Sequence, residues 1–117
     1  MAAACRGAKS VGGTTVGILP GNDASAANQW VDVVVPTGLG EARNALVVGS
    51  AMAVIAVDGE YGTLSEIALA LRIGVPVIGV GTWSLTKPDG ERDPGIVPIE
   101  DPREAAAAAL RLATVAR

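Results

Sequence analysis

The feature that most constrains this chain lies between Ala53 and Val80. Two continuously apolar runs, Ala53-Val54-Ile55-Ala56-Val57 and Pro76-Val77-Ile78-Gly79-Val80, flank a stretch from Thr63 to Ile73 with helical periodicity. A strand that is apolar at every position has no solvent face, and parallel strands covered on both sides by helices read this way. In the intervening stretch Leu64, Ile67, Ala68 and Leu71 fall on one side, and Gly74 supplies the stop.

The same alternation extends along the chain. Residues 14–19 read as a strand closed by Pro20-Gly21, residues 31–35 as a strand closed by Pro36, and residues 96–99 as a weak fifth strand. Helices are expected over residues 1–11, ending at Gly12-Gly13, and over residues 40–50, with Ala42, Ala45, Leu46 and Gly49 on one side. A last helix opens with Asp101 as N-cap, Pro102 in the first position and Glu104 in the third, a capping-box arrangement. Residues 21–29 are polar and 84–95 hold Pro88, Asp89-Gly90 and Pro94, so both read as loops. Strands alternating with helices predict an α/β fold with a mainly parallel sheet and helices on both faces, in a single domain over residues 1–117.

What the chain lacks narrows its chemistry. It has no histidine, and its one cysteine is Cys5. A His/Cys zinc site, a Ser-His-Asp or Cys-His nucleophilic pair and an intrachain disulfide are thereby excluded within one chain. Cys5 reads as a buried or half-buried helix residue. Nine basic against twelve acidic residues give a net charge of −3, which is neither the basic footprint of a nucleic-acid binder nor that of a membrane-surface domain. The longest uncharged apolar stretch, residues 45–57, is interrupted by Gly49-Ser50 and falls short of the ~20 residues of a transmembrane helix. Arg6 and Lys9 follow the first apolar residues instead of preceding them, so the start is not read as a signal peptide and a cytoplasmic location is expected. Acid–base and electrostatic chemistry falls to the carboxylates and arginines.

In open parallel sheets ligands gather beyond the carboxyl ends of the strands. The strongest local pattern lies there: Asp58-Gly59-Glu60-Tyr61-Gly62-Thr63-Leu64-Ser65-Glu66. A buried strand enters a glycine-containing turn that opens a helix, so backbone N–H groups approach a phosphate at the positive helix end. Thr63 is placed to cap the helix or to bond a phosphate oxygen, with Glu66 in the first turn. A plain capping box of Thr63 and Glu66 accounts for the same spacing, and Glu60 would repel an anion. Arg43 follows Thr37-Gly38-Leu39-Gly40 at a helix start, where a cation opposes the helix dipole. That placement suits anion binding, or a surface pair with Glu41 or a neighbouring carboxylate. Of the three aromatic residues, Trp30 is expected to anchor the second strand. Tyr61 and Trp83 lie at carboxyl ends, placed to stack on a base or to pack the rim.

These residues resemble a known family. The segment from Asp58 to Glu66 is similar to the signature Pro-Gly-Gly-x-Gly-Thr-x-x-Glu of the LOG (Lonely Guy) proteins, once misannotated as lysine decarboxylases. Gly59, Gly62, Thr63 and Glu66 match it, while Asp58 replaces the proline and Glu60 the second glycine. Gly40-Glu41-Ala42-Arg43-Asn44 resembles the stretch that carries the family's arginine, with Asn44 in place of the usual lysine. Gly12-Gly13-x-x-Val16-Gly17-Ile18-Leu19-Pro20 resembles its strand ending in proline. The likeness covers nearly the whole chain and is closest to the short bacterial branch that includes molybdenum-cofactor-carrier-like proteins, where Tyr-Gly-Thr-Leu-Ser-Glu is typical.

The resemblance implies a Rossmann-like three-layer α/β/α fold that binds a nucleotide or a phosphorylated cofactor, with no metal site or resident cofactor required. It implies a homodimer or higher homo-oligomer. The family's enzymes cleave the N-glycosidic bond of nucleoside 5′-monophosphates, including cytokinin ribotides. On that reading Glu66 stabilises the oxocarbenium-like transition state or orients water, Arg43 holds the substrate or assists the departing base, and Gly59, Tyr61, Gly62 and Thr63 line the ligand site with the glycines and Thr63 on the phosphate. The carrier-type relatives imply cofactor binding without turnover, and a truncated, inactive member would contribute only a dimer surface. The family begins with a strand, a helix, a second strand and a Gly-rich loop, whereas this chain starts near the helix that follows them. The fold is therefore expected to be N-terminally shortened, with unpaired strand edges and uncovered apolar faces.

Overall fold

The computed structural model describes residues 1–113. In chain order they form α1 (Ala2–Ser10), β1 (Val16–Leu19), β2 (Val33–Pro36), α2 (Arg43–Gly49), β3 (Val54–Val57), α3 (Tyr61–Ile73), β4 (Val77–Val80), β5 (Ile96–Pro98) and α4 (Pro102–Ala113). Short 3-10 turns occupy Ala24–Ala26 and Gly40–Ala42. The alternating α/β order is the one the apolar pattern predicts, and every pairing between these strands is parallel. The strands are divided between two sheets, β1–β2 and β3–β4–β5. The chain correspondingly falls into two compact units, Met1–Leu46 and Val47–Arg117. None of the described helices is long and apolar enough to cross a membrane.

In the first unit α1 ends as Gly12-Gly13 foretells. Gly12 takes the left-handed φ of 78°, its N–H donates to the Lys9 carbonyl, and Gly13 N–H donates to the Ala8 carbonyl. These two bonds are a Schellman cap. Cys5 is half-buried and accepts from Asn28 Nδ2 at 3.8 Å. The strands start later than the apolar pattern suggests, β1 at Val16 and β2 at Val33. The reason is a polar knot ahead of them. Asp32 Oδ2 accepts from Thr15 N–H and from Lys9 Nζ, each at 2.9 Å, and the Thr15 hydroxyl donates to the Trp30 carbonyl at 2.5 Å. The Lys9 ammonium, and then the Thr15 amide, hold the Asp32 carboxyl below its ordinary pKa. Trp30 thus anchors β2 from outside it. The β1–β2 pair, in register Val16↔Val33 and Ile18↔Val35, leaves an apolar face open: Val16, Val33 and Val35 are all exposed.

The second unit is a three-layer sandwich around β4. Val77 enters one core with Val48, Ala56, Ile67, Ala70, Val75 and Ile96. Ile78, the next residue, enters the opposite core with Ala105 and Ala108 of α4. Opposite faces of one strand are therefore covered by α3 and by α4, as a run with no polar position requires. Two alanines facing Ile78 let α4 approach the sheet closely. Asp101 caps α4 as expected, accepting from Arg103 N–H at 2.9 Å through Oδ1. The apolar stripe of α3 is Ile67 and Ala70, both buried, flanked by Leu64 and Leu71; Ala68 is exposed. The stripe expected on residues 40–50 is also corrected. Ala42, Ala45, Leu46 and Gly49 are exposed, and Asn44 and Val48 are buried instead. Residues 40–42 form a 3-10 turn, which advances 120° per residue instead of 100°, so a stripe counted from Gly40 as α-helix loses phase by Arg43. On the edge strand β3, Ile55 and Val57 are exposed, so this sheet too has uncovered apolar positions.

Candidate functional site

The join between β3 and α3 is built by the second unit's own backbone. Asp58 N–H donates to the Val80 carbonyl at 3.1 Å, which extends the β3–β4 pairing into the turn. Asp58 itself takes a left-handed φ of 61°, and it is the only non-glycine among the described residues with positive φ. Aspartate tolerates that region better than most side chains, at some cost in strain. The Glu60 carbonyl then accepts from Leu64 N–H at 3.1 Å and α3 begins at Tyr61.

This start is two residues earlier than expected, and it changes two assignments. The N-cap is Glu60, so Thr63 is the third helical residue and does not cap the helix. Glu66 falls in the second turn, not the first, and is half-buried. The Glu60 side chain makes no capping hydrogen bond to α3. Its first N–H groups, from Tyr61, Gly62 and Thr63, carry the positive end of a helix of 13 residues.

Trp83, just beyond β4, holds the turn from the other side. Its indole N–H donates to the Glu60 carbonyl at 3.2 Å. Its ring lies 5.9 Å from that of Tyr61, tilted by 34°. Gly59 is required by this arrangement: a Cβ there would stand 2.9 Å from the indole nitrogen. Gly62 is different, since a Cβ on it would meet nothing within 4 Å. Tyr61 is 78% exposed. An open cavity of about 290 Å³ is lined by Asp58, Gly59, Gly81, Thr82 and Trp83. The Thr82 hydroxyl oxygen is buried and has no hydrogen-bond partner among the described residues. A buried hydroxyl left unpaired costs free energy, so it is a natural contact for a polar ligand atom.

The structure therefore gathers Gly59, Tyr61, Gly62 and Thr63 at one helix start, with Glu66 one turn further along α3. Arg43 belongs to the first unit. There it opens α2, is half-buried, and donates from Nη1 to the Ile18 carbonyl at 2.7 Å. Its Nε is buried without a partner among the described residues. The alternative, a surface pair with Glu41, does not form, because the guanidinium is spent on the end of β1. Sequence reading missed the Thr82 hydroxyl and the part played by Trp83. Their only signal was position, directly after the carboxyl end of a buried strand.

The SLOG cluster4 family profile matches residues 1–107. The chain belongs to the SLOG cluster4 family. Among solved structures, the molybdenum cofactor carrier protein of Chlamydomonas reinhardtii is 36% identical, with a TM-score of 0.76 over 96% of this chain and 69% of that one. The molybdenum cofactor binding protein from the phototrophic bacterium Rippkaea orientalis is 34% identical, with a TM-score of 0.64 over 94% of this chain and 56% of that one. An uncharacterized protein of Archaeoglobus fulgidus is 47% identical over 74 residues, which is 63% of this chain and 48% of that protein. The chain spans about half the length of that curated relative. These matches establish the LOG-like, Rossmann-like fold that the turn motif suggested.

Proposed function

We propose that this chain binds a phosphorylated small molecule of the molybdenum-cofactor class at the start of α3 and carries it without turnover. The observation that carries the reading is the N-terminus of α3, which the Glu60 side chain leaves uncapped, opening beside a cavity in which the Thr82 hydroxyl is buried and has no partner among the described residues. Backbone N–H groups at a helix end bind phosphate without any cationic side chain. The relatives named as carrier and binding proteins favour retention over hydrolysis. Asp58 and Glu60 fit the same reading. Two carboxylates beside the turn weaken simple phosphate binding, so a ligand must contribute contacts beyond its phosphate.

The test is retention. The protein is mixed with molybdenum cofactor, passed through a desalting column, and its molybdenum content is measured. Stoichiometric retention is expected, together with no free base from nucleoside 5′-monophosphates. Base released by the parent protein but not by Glu66→Gln would replace this reading with phosphoribohydrolysis, in which Glu66 stabilises the oxocarbenium-like transition state.

A further inference from the structure

A second cavity, of about 210 Å³, is lined by Trp83 and by residues of β5 and the segments that flank it. Trp83, Ile96 and Ile99 give it apolar walls; Thr82, Arg92 and Glu100 supply its polar groups. Arg92 and Glu100 carry opposite charges and line the same space, yet they form no ion pair. Among the described residues neither side chain has a hydrogen-bonding partner. Both residues are exposed, so in the free protein water stands where a ligand's polar groups would bind.

Their chemistry is complementary. An ionised carboxylate only accepts hydrogen bonds, and a guanidinium only donates them. A ligand that satisfies both must present N–H donors to Glu100 and an oxygen or bare ring nitrogen to Arg92. The indole wall favours a flat partner. One ring edge meets all three demands: the 2-amino-4-oxo edge shared by guanine and pterins. It carries an exocyclic amino group, a ring N–H and a carbonyl oxygen side by side. Arginine pairing with the oxygen and ring nitrogen of guanine is a frequent geometry. Adenine offers the opposite pattern, an amino group where the carbonyl would be and no ring N–H.

Size and position agree. The cavity is smaller than the ~300 Å³ at which sites for whole drug-sized ligands begin, so it takes one end of a ligand. It shares Gly81, Thr82 and Trp83 with the cavity beside Asp58 and Gly59. The two cavities therefore adjoin, and the one beside Asp58 and Gly59 borders the turn that leads into α3.

We infer that this cavity binds the 2-amino-4-oxo ring edge of a guanine- or pterin-type ligand, with Glu100 accepting from its N–H groups, Arg92 donating to its carbonyl, and Trp83 flanking its plane. The inference rests on the phosphate reading of α3 for the ligand's other end.

Isothermal titration with GMP, AMP, a pterin monophosphate, guanosine and ribose 5-phosphate tests it. GMP or the pterin monophosphate is expected to bind at least about tenfold more tightly than AMP. Glu100→Gln and Arg92→Met, each checked for native circular dichroism, are each expected to reduce that preference to within about twofold. Whichever of the two preferred ligands binds more tightly identifies the ring source. Ribose 5-phosphate binding with GMP, AMP and the pterin equal overturns the ring-edge inference and leaves the phosphate reading standing. Guanosine binding without ribose 5-phosphate binding, and with the Glu100→Gln loss, keeps the ring edge and removes the phosphate reading. No binding of any probe overturns both.

Discussion

Replacing Gly59 with alanine is the most direct test of how the glycine turn is held. The backbone of Gly59 tolerates a side chain, since its φ is not in the left-handed region; the obstacle is Trp83. The new methyl would stand 2.9 Å from the indole nitrogen and 3.1 Å from Cδ1, so the ring must move. Moving it breaks the bond to the Glu60 carbonyl and disturbs the ring contact with Tyr61. The bond contributes about 1 kcal/mol. The ring pair contributes about another 1 kcal/mol beyond its buried area. A less flexible unfolded chain returns about 0.4–1 kcal/mol. The expected net loss is therefore about 1 kcal/mol, or a fall in Tm of about 4 °C for a chain of this size. Urea denaturation followed by circular dichroism measures the loss in the parent and in a Trp83→Phe background. With the indole N–H gone and the ring smaller, Gly59→Ala should become neutral or stabilising. An equal loss in both backgrounds would refute the argument, because the cost would then not come from Trp83.

Further outcomes follow from neighbouring positions. Gly62→Ala meets no steric obstacle in a helix, so it should stabilise the fold by up to about 1 kcal/mol in a thermal melt; the same methyl at the helix start should weaken ribose 5-phosphate binding severalfold in a titration. Glu60→Gln removes a charge beside the turn and should raise phosphate affinity about twofold at low salt, a gain that fades near 0.15 M salt, where the Debye length is about 8 Å. For Asp32 the folded pKa lies below the unfolded value, so its stabilising effect is present above the ordinary aspartate range and is lost as pH falls through the folded value. Asp32→Asn should flatten that part of the acid denaturation curve, and Lys9→Met should flatten it in the same direction.

The elements most legible in the sequence were those with one dominant signal. The unbroken apolar runs of β3 and β4 announced a doubly covered sheet, and the two cores meeting on Val77 and Ile78 are its direct expression. Gly12, Gly74 and Asp101 marked helix ends because each supplies a backbone conformation or an acceptor that few residues supply. Boundaries were less legible where a tertiary bond decided them. Thr15 and Asp32 are ordinary strand-edge residues in isolation; only their mutual bonds move the strand starts to Val16 and Val33. The start of α3 was misplaced because Thr63 looks like a cap, whereas the Trp83 bond fixes the Glu60 carbonyl where Leu64 can use it. The opposing charges of Arg92 and Glu100 left no trace in the pattern. Arg92 lies in the turn-rich excursion and Glu100 eight residues further on, beyond β5, and only the fold brings them to one cavity.

The two-sided apolar character of β4 has a consequence for how the chain finds its pairing. In a strand with one wet face, slipping by one residue is penalised because polar groups turn inward. Val77 and Ile78 remove that safeguard, since either is acceptable on either side. What remains is Gly79, where a Cβ would stand 2.8 Å from the Thr82 methyl and 3.1 Å from the Ile96 side chain. A slip that moved this gap along the strand would put a side chain where none fits. Gly79 therefore acts as an alignment key, and exchanging Val77 with Ile78 should disturb the fold less than giving Gly79 a single methyl group.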